Sequence, residues 1–209
     1  MLKILIADDH PIVRQGLKQV LAESRDMVVA GEAGDGQEVL SKISQRDYDL
    51  VVLDITMPGR NGLDILKDIK HMNPELPVLI LSFHPEEQYA LRALRSGASG
   101  YLTKQSAVSE LETAIRKIAA GGKYVTLSLG ESLAFYLDAK EEVPHETLSD
   151  REYEVMCMIA SGKSVTTIAS ELSLSVKTVS THRSRILQKT HLLDNAGIIR
   201  YCLQHGLVN

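Results

Sequence analysis

Residues 48–62 read Tyr48-Asp49-Leu50-Val51-Val52-Leu53-Asp54-Ile55-Thr56-Met57-Pro58-Gly59-Arg60-Asn61-Gly62. The unbroken apolar run from Leu50 to Leu53 is typical of a short strand that is buried on both faces. The run ends at Asp54, and the proline and glycines that follow force the chain to turn. Open parallel sheets form their ligand crevice at the carboxyl ends of their strands. Asp54 is therefore a candidate reactive group, although an aspartate that only ends a strand and begins a turn fits this stretch equally well.

Short apolar runs alternate with amphipathic segments on both sides of this stretch. We predict strands at 2–7, 27–33, 50–54, 77–82 and 100–102, and helices at 12–22, 36–43, 63–72, 85–95 and 108–120. Five strand–helix units in succession indicate an α/β domain with a parallel sheet, covered by helices on both faces. Because crossovers between parallel strands are right-handed, a doubly wound sheet is favoured for residues 1–122.

Polar side chains stand where four of these strands end. Strand 1 is followed by Asp8 and Asp9, strand 3 ends in Asp54, strand 4 in Ser82, and strand 5 is followed by Lys104. Each residue has an ordinary alternative role, as a helix cap, a loop residue or a solvated surface charge. Together, however, they would meet at one edge of the sheet. Three desolvated carboxylates repel one another, and a divalent cation removes that conflict.

The donor types indicate which cation and which substrate the edge would take. Carboxylate oxygens, without a His or Cys cluster, suit Mg²⁺, with Mn²⁺ as an alternative. Lys104 would add a positive charge for a phosphate oxygen, and Ser82 a neutral hydroxyl donor. We therefore interpret Asp54 as a carboxylate that accepts phosphate.

Residues 1–122 resemble the receiver domain of bacterial two-component response regulators. The motif that carries the resemblance is Asp8-Asp9, Asp54 followed by Met57-Pro58 and Gly62, Ser82, and Lys104 preceded by Tyr101. The resemblance implies a five-stranded sheet in the order 2-1-3-4-5. It also implies that Asp54 is the phosphoacceptor. Mg²⁺ would bind Asp9, Asp54 and the main-chain carbonyl of Thr56 directly and Asp8 through water, while Lys104 and Ser82 would hold the phosphoryl group.

The resemblance further implies in-line phosphoryl transfer from the phosphohistidine of a sensor histidine kinase to Asp54. The protein would contribute position and charge neutralisation. Ser82 and Tyr101 would form the switch, because a hydroxyl drawn to the phosphate leaves space that the aromatic ring fills.

Length and composition favour two domains in a cytoplasmic protein. The chain has 209 residues and a net charge of −4, so any DNA contact must be local. Cys157 and Cys202 have no metal-like spacing and are expected to be reduced core residues. No segment is apolar enough to span a membrane, and the N-terminus does not resemble a signal peptide. We expect a linker at 123–146, with an amphipathic helix at 127–137 and then a charged tether that ends at a proline.

Residues 147–209 are helical in pattern. Ser149-Asp150-Arg151-Glu152 predicts a capping box. Two short helices, at 165–172 and from Ser175 onward, would form a helix-turn-helix. Residues 173–191 contain four basic residues and no acidic ones. A basic stripe is most often a solvated helix face, but this one lies on the second helix of the pair, which enters the major groove in DNA-binding proteins.

Residues 147–208 resemble the four-helix LuxR/NarL-type DNA-binding domain. The resemblance rests on Leu148-Ser149-Asp150-Arg151-Glu152, Ile159-Ala160-Ser161-Gly162-Lys163-Ser164, Ile168-Ala169 and the segment from Leu174 to His182. It implies a recognition helix at about 175–190 and a last helix used in dimer contact. The residues it places near double-stranded DNA are Lys177, Thr178, Ser180, Thr181, Arg183, Ser184, Arg185 and Lys189.

Taken together, the two segments resemble the NarL/FixJ-type response regulators. The expected partners are a histidine kinase, DNA and, on activation, a second copy of the chain. No membrane contact and no enzymatic turnover are expected. One rival interpretation is a flavodoxin-like phosphatase, but no glycine-rich loop follows strand 1, and we interpret His10 as a helix-start residue. The other rival is a DNA-binding protein whose receiver serves only as a dimer module, against which the complete acidic set argues.

Overall fold

The computed structural model describes residues 1–83, 86–126, 129–130 and 144–208, except for the side chains of 86–88 and 108. The chain forms two compact units, Met1–Leu133 and Ala134–Asn209. Within the described residues, no helix combines the length and the apolar character needed to cross a bilayer.

The first unit is a parallel sheet with helices between its strands. Its strands are β1 (Leu2–Ala7), β2 (Met27–Ala33), β3 (Leu50–Asp54), β4 (Val78–Ser82) and β5 (Gly100–Thr103). Its helices are α1 (Pro11–Ala22), α2 (Gly36–Gln45), α3 (Gly62–Met72), α4 (Glu86–Arg95) and α5 (Ala107–Ala119). The strand order is β2-β1-β3-β4-β5, which confirms the predicted topology.

The apolar runs behave as the sequence pattern predicts. All five residues of β3 and of β4 are buried, because helices cover both faces of the sheet. On one face, alternate strand residues pack with α1 and α5. This core includes Ile4, Ile6, Leu17, Leu21, Leu50, Val52, Leu111 and Ile115. Strand β5 continues to Thr103 and α5 begins at Ala107, each one residue from its predicted limit. The helix predicted at 127–137 lies outside the described residues, apart from 129–130.

Within residues 144–208, the second unit contains a short 3₁₀ turn, Pro144–Thr147, and four helices. These are α6 (Asp150–Ala160), α7 (Val165–Glu171), α8 (Val176–Thr190) and α9 (Asn195–Gln204). The predicted capping box is confirmed, since Ser149 accepts from the Glu152 backbone and the Glu152 carboxylate accepts from the Ser149 backbone. Cys157 and Cys202 are buried free thiols, as predicted.

The connection between α7 and α8 is the tight turn of a helix-turn-helix. Ser173 adopts a left-handed backbone conformation with φ 54°, and the Leu174 backbone N–H bonds to the carbonyl of Ala169. The Ser175 hydroxyl then accepts from the Thr178 backbone N–H at 3.0 Å and caps α8, as predicted.

Candidate functional site

Strand register brings the predicted acidic residues to one edge of the sheet. Ala7 of β1 pairs with Leu53 of β3, so the residues that follow these strands emerge side by side. Asp54 pairs with Leu81, and Ser82 pairs with Thr103. The edge therefore collects the ends of β1, β3, β4 and β5.

Two buried carboxylates share one ammonium group at this edge. Lys104 Nζ lies 2.6 Å from Asp8 Oδ2 and 2.7 Å from Asp54 Oδ2. All three side chains are almost fully excluded from solvent. The other Asp54 oxygen accepts from the Thr56 backbone N–H at 3.2 Å. The positive charge of Lys104 is therefore fixed beside the Asp54 carboxylate.

The charge state of Asp54 is set mainly by its burial. Burial raises the pKa of the Asp54 carboxyl, the neighbouring Lys104 ammonium opposes this rise, and the Asp8 carboxylate adds to it. The net result is a pKa raised to about 6. The single ammonium group thus only partly neutralises the charge of two buried carboxylates. A further cation at this edge would stabilise their ionised forms.

Asp9 and His10 complete the polar group at the edge. His10 Nδ1 lies 2.7 Å from Asp9 Oδ1, and one donor atom from each of Asp8, Asp9, His10 and Asp54 falls within 4.8 Å of all the others. Opposite ligands of an octahedral Mg²⁺ are about 4 Å apart, so the three carboxylates fit this ion. His10 is the N-cap of α1, in agreement with its interpretation as a helix-start residue, and its imidazole also lies beside Asp9.

The two predicted switch residues lie in the core next to this edge. The Ser82 and Tyr101 side chains are both fully buried. The Ser82 carbonyl accepts from the Lys104 backbone N–H at 2.7 Å, which ties the end of β4 to the segment that carries the lysine. A movement of the Ser82 backbone would thus displace the backbone of Lys104.

The predicted DNA-contact residues lie on α8 of the second unit. Val179 and Ile186 fix the buried side of this helix. The side that faces solvent includes Lys177, Ser180, Thr181, Ser184, Arg185 and Gln188. Two of the predicted basic contacts also have partners within the unit. Arg183 Nε donates to Asn195 Oδ1 at 2.5 Å, and Lys189 Nζ donates to Glu152 Oε2 at 2.6 Å.

Comparison with known families places both units. Residues 4–116 match the family described as the response regulator receiver domain, which is more than half of the chain. Residues 146–202 match the bacterial regulatory proteins of the luxR family. The chain belongs to the two-component response regulators with a LuxR-type DNA-binding domain. It is thus a two-component DNA-binding regulator of the NarL/FixJ type, as the resemblance implied.

Curated relatives align with this regulator over its whole length. It is 32% identical to the response regulator GacA of Pseudomonas aeruginosa, over 100% of this chain and 99% of the relative. It is 31% identical to the response regulator UvrY of Escherichia coli, over 100% and 97%. Among solved structures, it resembles RcsB of Salmonella enterica serovar Typhimurium bound to the rprA promoter in the presence of the phosphomimetic BeF₃⁻. That match has a TM-score of 0.67, 27% identity and coverage of 96% and 97%.

Phe83 is a feature of this regulator's acidic edge that the sequence patterns did not predict. Its side chain is largely exposed, its ring centroid lies 4.5 Å from Lys104 Nζ, and the ring meets His10 edge-on with centroids 6.5 Å apart. An aromatic face near an ammonium group is weakly attractive. Phe83 follows Ser82 directly, but sequence alone does not show that its ring turns over the lysine.

The loop after Asp54 is held by close backbone packing. The Gly62 backbone N–H donates to the Ile55 carbonyl at 2.7 Å, and a Cβ at this position would lie 2.2 Å from the Asp54 carbonyl oxygen. Only glycine fits here without displacing the backbone of the phosphoacceptor candidate. The same glycine begins α3, so the start of this helix packs directly against the backbone of Asp54.

His182 is oriented towards the interior of the helical unit. Its ring is half-buried, and burial lowers the pKa of the imidazole, with the nearby Glu152 carboxylate opposing this. Among the described residues, its Nδ1 has no hydrogen-bond partner. This position is that of a residue that packs within the helical unit.

Proposed function

We propose that this regulator accepts a phosphoryl group on Asp54 from the phosphohistidine of a sensor kinase and that this modification controls DNA binding. The observation that carries the proposal is the convergence of Asp8, Asp54 and Lys104. The Lys104 ammonium nitrogen lies 2.6 Å from an Asp8 oxygen and 2.7 Å from an Asp54 oxygen. A buried carboxylate beside a fixed cation is a good acceptor for an anionic group, because charge and position are arranged before the donor arrives.

The proposed transfer is an in-line displacement. The bond between phosphorus and the donor imidazole nitrogen breaks, and a bond between phosphorus and an Asp54 oxygen forms. Lys104 binds a phosphoryl oxygen, and Asp8, Asp9, Asp54 and the Thr56 carbonyl would hold Mg²⁺. When bound, that ion neutralises the charge gathered around the phosphoryl group. The product is an acyl phosphate, which water hydrolyses, so the modification is reversible.

The modification would be relayed through Ser82 and Tyr101. A phosphoryl oxygen on Asp54 offers the Ser82 hydroxyl a charged acceptor, and charge-assisted hydrogen bonds are stronger than neutral ones. Movement of Ser82 towards it changes the packing beside Tyr101, which is buried on the neighbouring strand. Phosphorylation would in this way shift a pre-existing equilibrium between two packings.

Phosphoryl labelling tests the acceptor assignment. We expect the full-length protein to incorporate one phosphoryl group from a small acyl-phosphate donor with Mg²⁺, and the Asp54→Asn variant to incorporate none. Asp68→Asn is the matched control, because Asp68 is another aspartate of the same unit and pairs with Arg60 rather than with Lys104. The measurement is intact mass with peptide mapping. Undiminished labelling of Asp54→Asn would remove Asp54 from its proposed role.

We also propose that α8 contacts double-stranded DNA in a homodimer. Lys177, Thr178, Ser180, Thr181, Ser184 and Arg185 would face the groove or its phosphates, with Arg183 and Lys189 at the border of the contact. Two recognition helices one DNA turn apart, about 34 Å, would bind paired half-sites. The DNA-bound RcsB structures support this assignment by similarity.

The remaining functional assignments follow from this mechanism. The phosphoryl group ends on the protein itself, so we assign a regulatory role without turnover of an external substrate. We propose a cytoplasmic protein with a receiver at 1–122, a linker at 123–146 and a DNA-binding domain at 147–209. The matched family ranges, 4–116 and 146–202, support these limits.

A further inference from the structure

The imidazole of His10 lies within the group of acidic side chains that the proposed phosphoryl transfer uses. His10 Nδ1 is 2.7 Å from Asp9 Oδ1 and 3.4 Å from Asp8 Oδ1. The His10 backbone N–H also donates to Asp8 Oδ1 at 2.8 Å, so the residue is fixed to the same carboxylate at two points. The nitrogen therefore occupies a defined position beside the oxygens rather than reaching the edge from a mobile side chain.

The position of this nitrogen is suitable for a metal ligand. Donor atoms of Asp8, Asp9, His10 and Asp54 lie within 4.8 Å of one another, close to the separation of ligands around a single six-coordinate ion. Asp9 Oδ1 has no hydrogen-bond partner among the described residues, although His10 Nδ1 lies 2.7 Å from it. A cation at this point would be bound by both atoms.

We propose that His10 supplies a nitrogen ligand to this acidic edge, so that the edge binds borderline first-row cations such as Co²⁺ in preference to Mg²⁺. The proposal rests on the proposed function, since it concerns the same metal position. Mg²⁺ takes oxygen ligands and gains little from an imidazole, whereas Co²⁺, Ni²⁺ and Zn²⁺ bind imidazole well. His10 therefore determines which class of ion accompanies the phosphoacceptor.

Phe83 supports His10 in this arrangement. Its ring meets the imidazole edge-on with centroids 6.5 Å apart and also covers Lys104. Groups that hold a histidine ligand in orientation strengthen metal binding. Contacts with Asp9 at Nδ1 and with the Phe83 ring thus both hold the imidazole beside the carboxylates.

Metal binding to the full-length protein tests the assignment. Calorimetry with Co²⁺ alone and with Mg²⁺ alone is carried out on the native protein and on the His10→Gln and His71→Gln variants. His71 lies exposed in the last turn of α3 and serves as the matched control. We expect His10→Gln to weaken Co²⁺ binding about tenfold and to change Mg²⁺ binding less than about twofold, which also shows that the edge is still folded. His71→Gln should leave both affinities unchanged.

Proton NMR of the Co²⁺-loaded protein provides a second readout. We expect one exchangeable imidazole N–H resonance shifted by the paramagnetic ion, absent in His10→Gln and present in His71→Gln. Retention of this resonance in His10→Gln, or an equal loss of affinity for both ions, would overturn the role of His10. A native protein that binds neither ion, or binding that survives Asp54→Asn intact, would instead refute the proposed metal position, and the role of His10 with it.

Discussion

At the scale of single residues, the main feature of the receiver is a pair of buried carboxylates that share a single ammonium group. Asp8 and Asp54 share Lys104, and burial leaves the pKa of Asp54 raised to about 6. Sequence patterns identified these three residues because each lies at or just after the end of a strand of a parallel sheet. They could not show the charge state of Asp54, because the pKa depends on how completely neighbouring chains exclude water from the carboxyl group.

The raised pKa of Asp54 makes the stability of the receiver dependent on pH when Mg²⁺ is absent. The folded-state pKa exceeds the unfolded value of 3.8, so the folded form binds more protons between these values and loses stability as pH rises. We expect the free energy of unfolding of the native receiver to fall by about 2–3 kcal/mol, relative to Asp54→Asn, between pH 4 and pH 7. Amide hydrogen exchange of β1 and β3 in EDTA measures this difference. A difference that is independent of pH would contradict the assigned charge state.

Glycine substitutions distinguish a residue that shapes the site from one that does not. A Cβ on Gly62 would meet the Asp54 carbonyl oxygen and the Ile55 Cα, both backbone atoms that cannot turn aside. We expect Gly62→Ala to destabilise the receiver by about 1–3 kcal/mol and to slow phosphorylation of Asp54.

Gly16 in α1 is the matched control, because nothing lies within 4 Å of a Cβ placed there. Gly16→Ala should stabilise the receiver by up to about 1 kcal/mol and leave phosphorylation unchanged, since alanine favours a helix. Denaturant unfolding and the labelling assay measure both effects. Equal phosphorylation rates of the Gly62→Ala and Gly16→Ala variants would show that the packing around Gly62 does not position Asp54.

At the scale of elements, α8 combines the side that we propose faces DNA with contacts that hold the helical unit together. Lys189 near its end bonds to Glu152 in the capping box of α6. Burial would raise the pKa of Glu152, but the hydrogen bonds from Lys189 and from the Ser149 backbone outweigh it and lower the pKa. The sequence predicted the capping box and the basic stripe separately, but their connection spans 37 residues and depends on how the helices pack.

Lys177 and Lys189 should therefore behave differently when they are neutralised. Lys177 is exposed in the first turn of α8, and no ion pair holds it within the described part of the chain. We expect Lys177→Gln to weaken DNA binding and to reduce the salt dependence of binding by about one counterion.

Lys189→Gln should affect DNA binding less and should lower the free energy of unfolding of the helical unit by about 1 kcal/mol, because it leaves the mostly buried Glu152 without a charged partner. Salt titrations of DNA affinity and denaturant unfolding separate the two effects. A larger loss of DNA affinity for Lys189→Gln than for Lys177→Gln would show that the Glu152 pair opens on DNA.

At this scale, the sequence did not predict the contacts that loop side chains make at the acidic edge. The positions of the strands and the caps of α6 and α8 follow from local patterns, because period, apolar runs and capping residues act within a few positions. His10 and Phe83 reach the acidic edge from the ends of two different strands, and only the register between strands brings them together. Such contacts depend on tertiary packing, which no local pattern records.

At the scale of the whole molecule, the chain combines an acidic receiver with a locally basic DNA-binding domain. We propose that a phosphoryl group on Asp54 changes the affinity for DNA. Shifting a two-state population from 1:99 to 99:1 requires about 5.5 kcal/mol of differential stabilisation. Dimer formation on DNA would supply part of that energy, since a DNA with two half-sites binds the dimer more tightly than the monomer.

The most direct measurement of this claim is the affinity of the full-length protein for a DNA site selected from a random pool. The affinity is measured with and without an acyl-phosphate donor in Mg²⁺, for the native protein and for Asp54→Asn. We expect the donor to raise the affinity of the native protein at least about tenfold, or about 1.4 kcal/mol, and to leave that of Asp54→Asn unchanged. A native protein that is fully phosphorylated on Asp54 and binds the site with unchanged affinity would contradict this control of DNA binding.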